Sequence, residues 1–294
     1  MFHMQSADLT HVSEVPRARA RDWRISGLDA CRAPHTAVEA CCENMSHLVT
    51  HYETWSPPDA HTVPDESRRA LWVLPGAARL VIVPGDGQLS AMVGNRRYDL
   101  LPRAILFGPT SRATRMLSTG RVVTIGLSAL GWAGLVGRSA AALSDRAVAA
   151  GDVLDSKLTV TIGEAADCGD SECLAERIDM VLAKAPCAIL PDETLVRGLT
   201  KIVDQGVICV AEAAGQQLGV ASHVVRRCAL RHFGYPPKVL LNRRRFVRAL
   251  ERMIVSERGY SEAARHGYFD ASHFIRDAKR FLGMTPRRFL ALAS

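Results

Sequence analysis

AAGQQLGVASHVVRRCALRHFGYPP, Ala213 to Pro237, and EAARHGYFDASHFIRDAKRFLGMTP, Glu262 to Pro286, repeat one pattern at an offset of 49 residues. Arg227 aligns with Arg276, Arg231 with Arg280, Gly234 with Gly283 and Pro237 with Pro286. Val225 and Phe274 share one apolar position, and Ala229 and Ala278 share another. Each copy predicts a helix with small residues, a tight turn at Gly219 or Gly267, a basic second helix, and a Gly-x-x-Pro stop. That is a helix-turn-helix written twice. Between the copies, Phe246, Val247, Leu250, Met253 and Ile254 form the apolar side of a joining helix. Arg243, Arg244, Arg245, Arg248 and Arg252 fall on its polar side.

Charge separates this end from the rest. Residues 207–294 hold 16 Lys and Arg against 6 Asp and Glu, whereas the preceding residues hold 21 against 24. A basic end on a neutral-to-acidic body points to a polyanionic partner. A helix fits the major groove of B-DNA, and two on one face of the duplex read successive grooves roughly 34 Å apart.

The stretch GYFDASHFIRDAKRFLGMTPRRF, Gly267 to Phe289, closely resembles the signature of the AraC/XylS family of bacterial transcription regulators, and the resemblance extends over about residues 190–294. It implies a regulator of transcription that binds double-stranded promoter DNA and acts on RNA polymerase. By that resemblance the first reading helix lies near Ser222 to Phe233, with Ser222, His223, Arg226 and Arg227 facing bases. The second lies near Ala271 to Leu282, with Ala271, Ser272, His273 and Arg276 in the same role. Arg231, Lys279, Arg280, Arg287 and Arg288 suit phosphates, which position the protein without specifying sequence. The family usually has a large apolar residue where Ala229 and Ala278 stand, and a capping Ser or Thr where Ala221 stands. The expectation is an underpacked, less stable DNA-binding half. Asp270 reads as the N-cap of the second reading helix.

Upstream the pattern is strand-like. Leu71 to Leu74, Arg79 to Val83, Leu89 to Val93, Ala104 to Phe107 and Val122 to Leu127 are apolar runs separated by Gly, Pro and Asn. Short strands at such spacing predict a sandwich or barrel. Gly108-Pro109-Thr110, a following strand and a helix around Gly131 to Asp145 resemble the cupin-like sensing or dimerisation domains found ahead of this DNA-binding module. The expected fold class is therefore α+β, a β-rich cupin-like domain followed by an all-α domain with two helix-turn-helix motifs. Its expected divisions are a flexible leader at 1–45, the β-rich domain at 46–155, a helical linker at 156–190 and the DNA-binding domain at 191–294.

Several classes are disfavoured. Hydrophobic residues make 48% of the 294 and charged ones 23%, which argues against wholesale disorder. No apolar run is long enough to span a membrane, so a cytoplasmic protein is expected. The eight cysteines show no C-x-x-C pair or zinc-finger spacing and read as reduced thiols. His47, His51 and His61 precede the main strands with no H-x-H pair, and Asp270, three residues before His273, reads as a helix N-cap rather than as a metal ligand. No metal, cofactor or catalytic group is expected. Trp72, Tyr98, Arg112 and Arg115 are the residues named for a small-molecule effector pocket, with Trp72 favoured as core. A homodimer is expected from the gain that paired sites give. Two other readings stay open: a constitutive regulator whose N-terminal domain only dimerises, and a cupin-type enzyme anchored to nucleic acid.

Overall fold

The computed structural model describes residues 25–26, 36–59, 61, 69–168, 173–188, 190–206, 211–256 and 267–293. Eleven strands make two sheets among them. The strands are β1 Ile25–Ser26, β2 Thr36–Glu39, β3 Val49–Trp55, β4 Leu71–Val73, β5 Arg79–Ile82, β6 Leu89–Val93, β7 Arg96–Leu101, β8 Ala104–Phe107, β9 Thr114–Ser118, β10 Val122–Leu127 and β11 Ala147–Ala149. The first sheet runs β1-β4-β9-β6-β7 and the second β11-β8-β5-β10-β3-β2. All pairings are antiparallel except β1 with β4.

Period-2 alternation decides which side chains meet. Val81 and Val83 point between the sheets, where Leu71, Val73, Leu89, Ala91, Val93, Ile105, Phe107 and Met116 join them. Leu80 and Ile82 point the other way, into a core closed by helices. Those helices are α1 Ala129–Leu135, α2 Ser156–Asp167 and α3 Leu174–Leu182. Both faces of the second sheet are covered, so every residue of β10 is buried.

The expected linker at 156–190 is thus a layer of the N-terminal domain. Leu158, Ile162, Ala166, Leu174, Ile178 and Leu182 pack on the sheet, and Asp179 accepts hydrogen bonds from the Tyr52 hydroxyl and the Cys42 amide. The first of these helices starts at Asp155, whose side chain accepts from Leu158 N at 2.9 Å. The expected leader is likewise partly structured, since β2 pairs with β3 from Thr36 to Glu39; residues 1–24 and 27–35, with Trp23 and Cys31, lie outside the described residues.

The C-terminal half comprises α4 Glu193–Gln205, α5 Ala211–Leu218, α6 Ser222–Cys228 continued by a π turn Ala229–Phe233, α7 Pro237–Ser256, α8 Ala271–Leu282 and α9 Pro286–Ala293. Val196, Leu199, Ile202, Ala214, Val225, Cys228, Ala229, Leu240 and Leu241 form the core of the first copy. Phe246, Phe274, Ala278, Phe281 and Phe289 form that of the second, and Trp72, Leu74 and Ala113 of the β-rich domain belong to the same cluster. The Phe246 ring lies 5.5 Å from Phe274 and 5.3 Å from Phe281, and Trp72 stands edge-on to Phe289 at 5.3 Å. Ala278 is fully buried in the same cluster as four Phe rings and Trp72. The chain is α+β, with a two-sheet domain ahead of a helical one.

Candidate nucleic-acid interface

Gly219 and Gly267 take left-handed φ angles of 66° and 77° at the two turns, and Gly234 and Gly283 do so at 83° and 77° behind the second helices. These are the conformations the repeat requires of glycine. Residues 262–266, where the first helix of the second copy is expected, lie outside the described residues. Asp270 caps α8 as expected, accepting from His273 N at 2.6 Å.

On α6, Ser222, His223, Arg226, Arg227 and Arg231 are all exposed. His223, Arg226, Arg227, Leu230 and Arg231 line one side of a cleft of about 400 Å³ whose other wall includes Ser139 of the β-rich domain. On α8, Ala271, Ser272, Arg276, Lys279 and Arg280 are exposed, and Arg287 and Arg288 are exposed on α9. His273 differs from the rest. It is half-buried, with its ring edge-on to Tyr268 at 4.9 Å and Nε2 at 3.5 Å from the Arg245 guanidinium.

The arginines expected along one solvent-facing side of α7 are largely tied into the structure. Arg243 is buried and donates to Gly76 O at 3.0 Å and Thr110 O at 2.8 Å, across the boundary between the halves. Burial lowers its pKa to about 10, which leaves it cationic at neutral pH. Arg245 pairs with Asp277 at 3.2 Å and lies over the Tyr268 ring. Burial, reinforced by the Asp277 carboxylate, pushes the Tyr268 phenol up. Arg248 donates to Asp204 O and Gln205 O, closing α4 beside the left-handed Gly206. Helical periodicity placed these residues on one side but could not show that the β-rich domain and α4 approach that side.

The residues named for an effector pocket do not converge. Trp72 faces the helical domain and has Arg115 as its neighbour on β9. Tyr98 faces the opposite side, packed against the inter-sheet core, with its hydroxyl accepting from Ala147 N at 3.2 Å. Arg112 is exposed and reaches Asn95 Oδ1 at 3.4 Å. A different cleft, of about 570 Å³, lies between the halves, with Ser46, His47, Ser128 and Leu130 on one side and Arg197, Thr200, Lys201 and Arg248 on the other. Its residues come from distant stretches without a motif, which is why the sequence did not show it.

A second group the sequence did not show is Asp192, Cys228 and His232. His232 Nε2 lies 2.9 Å from Asp192 Oδ2. Burial, together with the nearby carboxylate, pushes the Cys228 thiol up to about 12, so it is neutral.

Residues 215–291 match the family model described as a helix-turn-helix domain. The C-terminal region contains a helix-turn-helix domain. Such a domain binds DNA in transcription regulation. No curated protein sequence matches the chain. Among solved structures, ToxT from Vibrio cholerae O395 is 12% identical, with 88% of this chain and 98% of that chain covered at a TM-score of 0.43. The AraC-like transcriptional activator CuxR is 11% identical, with 76% and 92% covered at a TM-score of 0.25. No helix among the described residues is long and apolar enough to cross a membrane.

Proposed function

We propose that the chain is a sequence-specific transcription regulator that reads promoter DNA with α6 and α8. What supports this most is that the repeat sets exposed Arg227 and Arg276 at equivalent places on two helices whose opposite faces are locked into separate cores. Ser222, His223, Arg226, Arg227, Ala271, Ser272 and Arg276 meet base edges, and an arginine bidentate to guanine contributes about 1–3 kcal/mol of discrimination. His273 joins them only by leaving Tyr268. Arg231, Lys279, Arg280, Arg287 and Arg288 hold phosphates. The protein works in the cytoplasm as a homodimer and recruits or excludes RNA polymerase; it catalyses no reaction.

The cleft between the halves supports a small-molecule effector. Its volume is that of ordinary ligand sites, on the order of 300–1,000 Å³, and its walls belong to both halves. A ligand there would favour one domain arrangement over another, which is the requirement for control.

Selection of bound genomic fragments, with the doubly substituted Arg227→Ala/Arg276→Ala protein in parallel, tests the DNA reading. Wild type should enrich a few sites carrying two blocks about one helical turn apart, and the variant should lose them. Equal enrichment by both proteins would refute the assignment of these helices.

A further inference from the structure

The buried side of the first reading helix carries chemistry that DNA binding does not use. Cys228 and His232 stand at i and i+4, behind the arginine face, and a π turn begins directly after Cys228. Pairs at that spacing present two ligands from one side of a helix, and π turns recur at functional positions. Asp192, at the start of α4, aims its carboxylate at the same point. One donor atom from each residue lies within 4.8 Å of the other two. The Cys228 and His232 side chains are almost wholly enclosed, whereas that of Asp192 is 31% exposed and leaves a way in from solvent.

We propose that Asp192, Cys228 and His232 bind a divalent cation of zinc type, with water as the fourth ligand. A sulfur, an imidazole nitrogen and a carboxylate oxygen suit Zn²⁺ and disfavour Mg²⁺ and Ca²⁺, which take oxygen ligands. Tetrahedral zinc with bonds of about 2.0–2.3 Å places neighbouring donors about 3.3–3.6 Å apart. The Asp192–His232 pair therefore opens by a few tenths of an ångström while the sulfur draws in. Coordination takes the thiolate, so the Cys228 proton passes to solvent as the metal enters. The imidazole binds in its neutral form through Nε2. Bound metal would join the start of α4 to α6 and hold the first reading helix more firmly than the Asp192–His232 contact alone.

The test is titration of reduced, metal-free full-length protein with Co²⁺. Saturation at one equivalent is expected, with thiolate-to-cobalt charge-transfer absorption and tetrahedral d–d bands, both bleached by added Zn²⁺. Cys228→Ser and Cys228→Ala should each abolish the charge-transfer band. Asp192→Asn, which can still accept a hydrogen bond from His232, should weaken binding at least about tenfold. Zinc should raise the melting temperature of wild type and leave that of Asp192→Asn nearly unchanged. Circular dichroism confirms that each variant is folded, and either Cys228 variant suffices if the other is not. Absence of a thiolate band at one equivalent would overturn the proposal. So would a band that survives the Cys228 substitutions and disappears on changing the exposed Cys42 and its neighbour Cys41 to Ser.

Discussion

Gly234 and Gly283 hold the same place in the two copies, yet their surroundings differ. A Cβ on Gly283 meets nothing within 4 Å, whereas one on Gly234 would lie 2.5 Å from Ser144 Oγ and 3.0–3.1 Å from the Pro109 ring. The first copy is pressed against the β-rich domain at this point. Ser144 Oγ donates to Gly234 O at 2.9 Å, and the Tyr235 hydroxyl donates to Pro109 O at 3.1 Å. The second copy meets that domain through aromatic packing, with Trp72 in the cluster of Phe rings, and through Ala113 N, which donates to Phe281 O at 2.7 Å. One sequence motif is thus anchored twice with different partners: Leu130 of α1 and side-chain hydroxyls bonded to backbone carbonyls in the first copy, aromatic packing and a backbone bond in the second. Both reading helices are held relative to the β-rich domain as well as to α7.

The two alanine positions should show that difference most strongly. Ala278→Phe adds a ring to a cluster that already holds four Phe rings, and the expected loss is about 3 kcal/mol, the upper end for overpacking. Ala229→Phe enters a mainly aliphatic core of Leu199, Ile202, Leu240 and Leu241. Leucine and isoleucine side chains repack more readily than stacked rings, so about 1–2 kcal/mol is expected there. Denaturant unfolding of both variants checks the order; a stabilised Ala278→Phe protein would mean that the second copy is underpacked.

The glycines come next. Gly283→Ala bears only the left-handed backbone, about 1–2 kcal/mol. Gly234→Ala adds the overlap with Ser144 and Pro109, and its total should be about 2–3 kcal/mol. Combining Gly234→Ala with Ser144→Ala relieves one of the two overlaps and should recover part of the difference. Equal effects at the two glycines would mean that the first copy does not rest on the β-rich domain as described.

How far the sequence foretold this follows from the range of each signal. The repeat, the turn glycines, the Asp270 cap and the apolar side of α7 depend on residues within one or two helical turns, and among the described residues the helices formed where that pattern put them. β7 was missed because RRYDLL alternates poorly and is largely exposed, with Arg96, Arg97, Asp99 and Leu100 outward. It is a strand because it pairs with β6 at the end of a sheet. Arg243 was misjudged for a related reason. Nothing near it in sequence shows that the carbonyls of Gly76 and Thr110 will be its partners. His232 and Asp192 are 40 residues apart, and only the packing of α4 on α6 brings them together.

The smallest expected effect isolates the caps. Asp270 accepts from His273 N at the start of α8, while Ala221 holds the corresponding extended conformation at the start of α6 with no side-chain cap. Asp270→Ala should therefore cost about 1 kcal/mol, and Ala221→Ser should gain about 0.5–1 kcal/mol. Neither substitution alters a core or the contact with the β-rich domain, so both should act on their own helix alone. Hydrogen exchange of the first-turn amides separates that local effect from a global one. Protection should rise only in α6 for Ala221→Ser and fall only in α8 for Asp270→Ala. A change that spread into both copies would show that the joining helix couples them more tightly than their separate cores imply.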